Sequence, residues 1–395
     1  MLPNTLPTSL PGTLKAPPLS LYVHLPWCVR KCPYCDFNSH ALRGALPADA
    51  YVDALLADLE HDLPLTWGRP VQSVFFGGGT PSLFGAAQFE RLLGGIRARL
   101  TLAPAAEVTI EVNPGTVEHA PFADYRDAGI NRFSLGVQSF SDAALQALGR
   151  IHGRAEALRA IESLHAAGVS NFNLDLMYAL PGQDLEAALA DVREAIAGRP
   201  AHVSHYQLTI EPNTAFHANP PPLPDEDLAW AMQDACGRLL AEAGFEQYEV
   251  SAWARPGREC RHNLNYWRYG DFLGIGAGAH GKLTEAGRGT IRRRVRLRHP
   301  EAWMRAVQGG DSALAEDRQL PPEERIFEFF LNQLRLRRGV RIADFEPRTG
   351  LVWDSVAGPV DELLRRGLYR TEADRLVPTE LGWRFGNEAQ ILFLP

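Results

Sequence analysis

From Leu19 onward, short apolar runs alternate with longer amphipathic ones. The apolar runs predict strands at Leu19–Leu25, Val71–Phe76, Val108–Val112, Arg132–Val137, Phe172–Met177 and Val203–Leu208. Between them, apolar residues recurring every three or four positions predict helices, among them Ala48–Leu63, Ala86–Leu100, Ala155–Ala167 and Leu185–Ala197. Six strand–helix units in succession imply an α/β fold, a parallel sheet with right-handed crossovers. Ligands of such sheets sit at the carboxyl ends of the strands. Beyond Leu208 the register changes. Glu211–Pro224 is a Pro-rich loop carrying His217 and Asn219, long enough for a lid or linker. A helix at Leu228–Ala243 and a strand within Phe245–Ala254 follow. From Pro321 helical patterning returns at Glu323–Arg337, Ile342–Glu346 and Val360–Arg366, with a short strand pair around Leu368–Tyr369 and Leu376–Val377. These changes divide the chain into a leader (1–18), the α/β unit (19–250), a connecting β-rich segment (251–315) and a C-terminal domain (316–395). The leader holds five prolines and no apolar signal core, so disorder is expected there.

Composition narrows the class. At 395 residues, with 45% hydrophobic and 22% charged residues, the chain reads as a soluble globular protein of two domains. A net charge of −7 gives no hint of nucleic-acid binding. No apolar run approaches the about 20 residues of a membrane span, so membrane contact would have to be peripheral. Five cysteines, three clustered and two apart (Cys236, Cys260), do not make a disulfide framework, and their use fits a reducing cytoplasm.

The clustered three are Cys28, Cys32 and Cys35, spaced C-x3-C-x2-C on the loop after the first strand. Three thiolates so close suit an iron–sulfur cluster, and a [4Fe–4S] cube held by three would leave one iron open to a small chelating molecule. A zinc knuckle completed by His24 or His40, or three unrelated thiols, is the alternative. The other distinctive residues also follow strands. Gly77-Gly78-Gly79-Thr80-Pro81 comes after the second and allows close ligand approach, though a plain tight turn reads the same way. The third ends in Glu111-Val112-Asn113-Pro114-Gly115. The fourth ends at Gln138, with Arg150 twelve residues on, and the fifth carries Asp175 in an otherwise apolar run. Arg150 can hold a carboxylate through two parallel hydrogen bonds, and a buried Asp175 needs partners. Further on, Arg261–Trp267 contains His262, Asn263, Tyr266 and Trp267, readable as a core histidine beside two aromatics. Gly274–Gly281 is glycine-rich but does not follow a first strand, which argues against a dinucleotide site. Thr290–Arg298 puts Arg292, Arg294, Arg296 and Arg298 on one strand face. A solvated hairpin face is expected there, and docking to lipid headgroups or haem propionates is the sharper reading.

YVHLPWCVRKCPYCDF (Tyr22–Phe37) resembles the radical S-adenosylmethionine (SAM) superfamily. Within it, the run is similar to the branch of the oxygen-independent coproporphyrinogen III oxidases and their haem-chaperone relatives. The resemblance covers nearly everything from Leu19 to the C-terminus and implies a partial (β/α)6 TIM-like barrel with a small winged-helix-like C-terminal domain of HemN type. It implies a [4Fe–4S] cluster on Cys28, Cys32 and Cys35. It further implies SAM held by Tyr22, Tyr34, Gly78, Gly79, Thr80, Glu111, Gln138, Arg150 and Asp175. Either Tyr could equally be core packing. The chemistry implied is one-electron reduction of SAM to a 5′-deoxyadenosyl radical. HNLNYW matches the HNxxYW motif of the haem-chaperone branch, which makes His262, Asn263, Tyr266 and Trp267 haem-binding candidates. The oxidases carry a further cysteine two residues after the triad, where this chain has Phe37, and a longer N-terminal portion. The expected function is therefore a haem chaperone that delivers haem to apoproteins such as respiratory cytochromes. SAM cleavage is expected to be retained, and the alternative is a true coproporphyrinogen III oxidase of porphyrin biosynthesis. No single catalytic residue is assigned, and a homodimer is left open.

Overall fold

The computed structural model describes residues 14–66, 68–119 and 121–395. Six parallel strands form as the pattern predicts: β1 (Leu19–Leu25), β2 (Val71–Gly78), β3 (Leu102–Val112), β4 (Arg132–Gln138), β5 (Phe172–Tyr178) and β6 (His202–Gln207). They are linked through α1 (Ala48–Thr66), α2 (Ala86–Arg99), α3 (Phe122–Asp127), α4 (Asp142–Ala147), α5 (Arg154–Ala166) and α6 (Leu185–Ala197). Leu19, Leu21, Val23 and Leu25 of β1 are buried against Tyr51, Leu55 and Leu59 of α1 in one large core. Helix starts follow their caps. The side chain of Asp225 accepts the Leu228 N–H at 2.8 Å, so α7 (Glu226–Glu242) begins two residues ahead of the apolar pattern.

The sheet extends beyond the six units. Phe245–Ala254 is broken into β7 (Glu246–Glu249) and β8 (Ala252–Ala254), and β8 runs antiparallel to β6. After α8 (Arg261–Trp267), β9 (Asp271–Ile275) adds in parallel to the free side of β1. The antiparallel strands β10 (His280–Glu285), β11 (Thr290–Arg296) and β12 (Leu314–Gln319) follow. Among the described residues the twelve strands form one sheet in the order β12-β11-β10-β9-β1-β2-β3-β4-β5-β6-β8-β7. Residues 251–315 thus add strands to the sheet on both sides of the six parallel ones.

The arginine run departs from its expectation. Arg294 and Arg296 are not on a solvated face: they are buried on Asp62 and Asp58 of α1, with Arg296 Nε–Asp58 and Arg296 Nη2–Asp62 both at 2.8 Å. Arg292 pairs with Asp317 at 2.7 Å. The cause lies on another element. Asp58 and Asp62, one helical turn apart, meet alternate residues of the strand that point the same way. The leader is also corrected in part. Residues 1–13 lie outside the described residues, but 14–18 are ordered. Leu14 is buried in the C-terminal core, the Lys15 N–H donates to the Pro347 carbonyl at 2.7 Å, and the Pro18 carbonyl accepts from Asp271 N–H at 3.0 Å. Prolines donate nothing from the backbone, but here their carbonyls are satisfied.

α9 (Pro300–Gly309) returns the chain onto α1. The C-terminal domain contains α10 (Pro322–Gln333), α11 (Phe345–Thr349) and α12 (Ala357–Arg365). Its three strands, β13 (Val340–Arg341), β14 (Tyr369–Glu372) and β15 (Arg375–Pro378), are ordered β13-β15-β14, a winged-helix-like arrangement. Its core of Phe329, Phe330, Phe345 and Leu363 also takes in Tyr269 and Ile291 from the barrel side. No helix of the described residues is long and apolar enough to cross a membrane.

Candidate functional site

The cysteine loop is anchored before its thiols are placed. Trp27–Cys28 pairs in parallel with His40–Ala41, the two ends of the loop closing on each other. His24, on β1, is buried and has both ring nitrogens engaged, Nδ1 with Tyr22 Oη at 3.0 Å and Nε2 with the Asn38 carbonyl at 2.8 Å. Burial lowers its pKa to about 4. Asn38 in turn donates from Nδ2 to the carbonyls of Ala277 and Arg298, each at 2.9 Å. The loop is therefore tied to the Gly274–Gly281 turn. Cys28, Cys32 and Cys35 are half-buried, and all five cysteines are free thiols. Burial raises the thiol pKa of Cys28 and of Cys35, opposed by hydroxyls of Thr80 and Ser39 at Cys28 and of Ser39 at Cys35. Among the described residues no three His, Cys, Asp or Glu side chains converge on a single ion. A cube with separate irons asks for one thiolate at each, without such convergence.

The glycine loop docks on the same segment. Gly79 N–H donates to the Leu25 carbonyl at 2.8 Å and Thr80 N–H to that of Trp27 at 2.7 Å. A Cβ at Gly79 would lie 2.5 Å from the Trp27 oxygen, and one at Gly78, where φ is +117°, would strike the His24 ring at 2.6 Å. Backbone contact with the cysteine loop thus requires both glycines. Gly78 N–H reaches Glu111 Oε2 at 3.2 Å. The Glu111 carboxyl is pushed up to about 7 by burial, then by the charge of Asp175, against the pull of that N–H. Asp175 accepts from Asn173 Nδ2 at 2.7 Å and Ser134 Oγ at 3.1 Å, and burial raises its pKa too.

At the end of β4, Gln138 has a left-handed φ of 70°, a strained conformation for a residue other than glycine. Tyr206 Oη donates to Gln138 Oε1 at 2.7 Å. Arg150 donates from Nη2 to the Gly136 carbonyl at 2.7 Å and approaches Cys32 Sγ with Nη1 at 3.7 Å, leaving its buried Nε without a partner. The strand ends therefore bring together the cysteine loop, an arginine and two carboxylates. Tyr34 lies between Cys32 and Cys35 in the chain but packs on the Met177, Leu180 and Leu208 cluster, with Phe216 6.4 Å away.

A cavity of about 450 Å³ opens beside this cup. Tyr22, Gly78 and Glu111 line it, together with Tyr266, Trp267, Phe272, His280, Lys282, Arg293 and Arg298. Phe37, 60% exposed, stands at its wall. The C-terminal domain reaches it through Asn332. The HNLNYW run forms α8, and its four candidates separate. Tyr266 and Trp267 face the cavity; Asn263 is half-buried and does not line it. His262 is 1% exposed behind them, with Nδ1 at 2.9 Å from Ser73 Oγ and Nε2 at 2.8 Å from Tyr266 Oη. It also stacks on Phe75 at 4.9 Å. Asn38, Tyr206, Ser134 and His280 escaped the sequence reading. His280 sits in a glycine-rich motif that was legible, but nothing in the sequence marked it as facing the cavity.

A partial parallel barrel with a three-cysteine loop at its carboxyl ends defines a radical SAM protein. Residues 22–195 match the radical SAM superfamily model and residues 320–385 match the HemN C-terminal domain model. The solved structure of the coproporphyrinogen III oxidase HemN from Escherichia coli shares the fold. Its TM-score is 0.78, covering 96% of this chain and 90% of that one at 23% identity. The chain is 50% identical over 381 residues to the "Heme chaperone HemW" of Escherichia coli, covering 96% of this chain and 99% of that protein. It is 48% identical to the "Heme chaperone HemW" of Haemophilus influenzae, with the same coverage. The "Radical S-adenosyl methionine domain-containing protein 1, mitochondrial" of Mus musculus is 37% identical, covering 88% of this chain and 81% of that one. The chain belongs to the HemW family of the radical SAM superfamily.

Proposed function

We propose that this protein is a cytoplasmic haem chaperone that binds haem beside a SAM-bound [4Fe–4S] cluster and passes it to haem-accepting apoproteins, respiratory cytochromes among them. One observation carries the reading. The cavity next to the cysteine loop has aromatic walls in Tyr22, Tyr266, Trp267 and Phe272 and cations in Lys282, Arg293 and Arg298, a lining suited to a flat apolar macrocycle bearing carboxylates. Its size falls within the range of small-molecule sites. The names of the relatives agree with it.

The residues fit the cofactors. Three half-buried thiols on one loop can each take one iron, and the fourth iron would remain open to SAM. When bound, the reduced cluster supplies an electron for cleavage of the sulfonium. The chain's own residues position and exclude water. Gly78, Gly79 and Thr80 present backbone to the methionyl part, and Glu111 and Asp175, both raised in pKa by burial, are ready to receive its cationic groups. Arg150 has an unpartnered Nε for the carboxylate, and Gln138, oriented by Tyr206, offers an amide for ribose or amino contacts. Tyr22 lines one side, and Tyr34 joins the cysteine loop to the Met177, Leu180 and Leu208 cluster.

Phe37, where the oxidases carry a further cysteine, favours the chaperone over the oxidase. The decisive test incubates cluster-reconstituted protein anaerobically with SAM, a reductant and coproporphyrinogen III. SAM cleavage without tetrapyrrole decarboxylation is expected. Multiple-turnover formation of protoporphyrinogen would make the protein an oxidase.

A further inference from the structure

Haem iron needs a ligand atom with a free lone pair, and the motif histidine does not offer one. Both ring nitrogens of His262 are bonded, to Ser73 and Tyr266, behind the cavity wall. Freeing Nε2 would take from the Tyr266 hydroxyl its partner, and freeing Nδ1 would break the Ser20–Ser73–His262 chain of buried hydrogen bonds. His280 is in the opposite situation. It begins β10, is exposed, lines the cavity, and its imidazole has no hydrogen-bond partner among the described residues.

The cations sort in the same way. Lys282 is 1% exposed and held by Asp271 at 3.0 Å and the Tyr269 carbonyl at 3.2 Å. Arg293 makes a two-bond pair with Glu328 at 2.9 and 2.8 Å. Arg298, exposed at the end of the arginine run, is the cavity cation with no carboxylate partner among the described residues. Its own carbonyl and that of Ala277, three residues before His280, are both bonded by Asn38 of the cysteine loop. One side chain thus ties the cluster loop to the segments carrying both groups.

Resting on the haem-carrier reading above, we propose that His280 is the iron ligand of bound haem and Arg298 the anchor of one propionate. His262 is a positioning residue that holds Tyr266 against the macrocycle. The neutral imidazole supplies its lone pair to the iron, and the guanidinium meets the carboxylate in a charge-assisted pair.

The test titrates full-length, cluster-reconstituted protein with ferric haem under anaerobic conditions, recording Soret difference spectra and haem EPR. His280→Ala should weaken binding about 10–100-fold, at least as much as losing a hydrogen-bond partner of a metal-bound side chain does, and should abolish the histidine-ligation signature. Imidazole added to His280→Gly should restore that signature. Arg298→Gln should cost about tenfold with the signature intact. His262→Gln, which keeps a donor and an acceptor, should also retain it. A wild-type signature in His280→Ala, or its loss in His262→Gln with the protein folded, would overturn the assignment alone. Failure of the wild type to bind haem stoichiometrically would overturn the haem reading and this assignment with it.

Discussion

Glu111 shows how burial and a neighbouring like charge set one residue's hold on its proton. Its carboxyl is buried, faces the charge of Asp175, and is relieved only by the Gly78 N–H, so its pKa rises from 4.5 to about 7. A raised carboxyl pKa means that the folded state prefers the proton. Stability is full below the unfolded value and is lost as pH rises through the folded one. In the cofactor-free protein Glu111→Gln should therefore stabilise by up to about 3 kcal/mol at pH 8, and the gain should vanish by about pH 4. Urea midpoints of both proteins between those pH values test this, and parallel profiles would show that cavity water already solvates the carboxylate. With SAM bound, the sign should invert, because the same carboxylate would then be matched by a cation. Glu111 itself was visible in the sequence as an acid closing an apolar strand. Its neighbour Asp175 was not visible as a neighbour, because β3 and β5 are brought together by the sheet and not by the chain.

At the scale of elements, the buried set Asp58, Asp62, Arg294 and Arg296 joins α1 to β11 across more than 200 residues of chain. Burial raises the Asp58 carboxyl while Arg296 pulls it down, and Gly276 N–H adds a hydrogen bond at 3.1 Å. Removing one member should cost more than the set contributes, since the remaining charges stay buried. Arg296→Met leaves both aspartates undercompensated and should lose about 3–5 kcal/mol in chemical denaturation. Combining it with Asp58→Asn and Asp62→Asn should recover part of that loss, and strict additivity would rule out the coupling. Read along the strand, these arginines look like a solvated stripe. Their partners are residues of a helix whose acidic positions look equally ordinary in isolation.

For the whole molecule, the C-terminal domain has its own core but is fastened to the barrel at the cavity. Arg293 pairs with Glu328, Arg335 pairs with Glu249 at 3.0 Å, and the Arg335 guanidinium lies 4.3 Å from the centre of the Trp267 ring. These contacts make the domain a wall of the site. Glu328→Gln should loosen that wall by about 1–2 kcal/mol, giving roughly tenfold faster amide exchange in α10 and α11 than in α5 and α6. Unchanged exchange would place the docking energy in the apolar contacts of Tyr269 and Ile291 instead.

The chain by itself determined the strand–helix alternation, the six parallel units, the cysteine triad and the glycine loop. Each of these is written in local periodicity or in close spacing, and local backbone physics is enough to realise it. The tertiary structure alone decided which groups have partners. His262, the conspicuous histidine of its motif, is turned inward and doubly bonded, while His280, at the start of β10 behind a glycine-rich run, faces the cavity. Of the five arginines between Thr290 and Arg298, four are paired with carboxylates and Arg298 has none among the described residues. Hydrogen bonds and ion pairs close between residues distant in sequence, so their satisfaction, and with it the chemistry left over for a ligand, exists only once the sheet has brought them together.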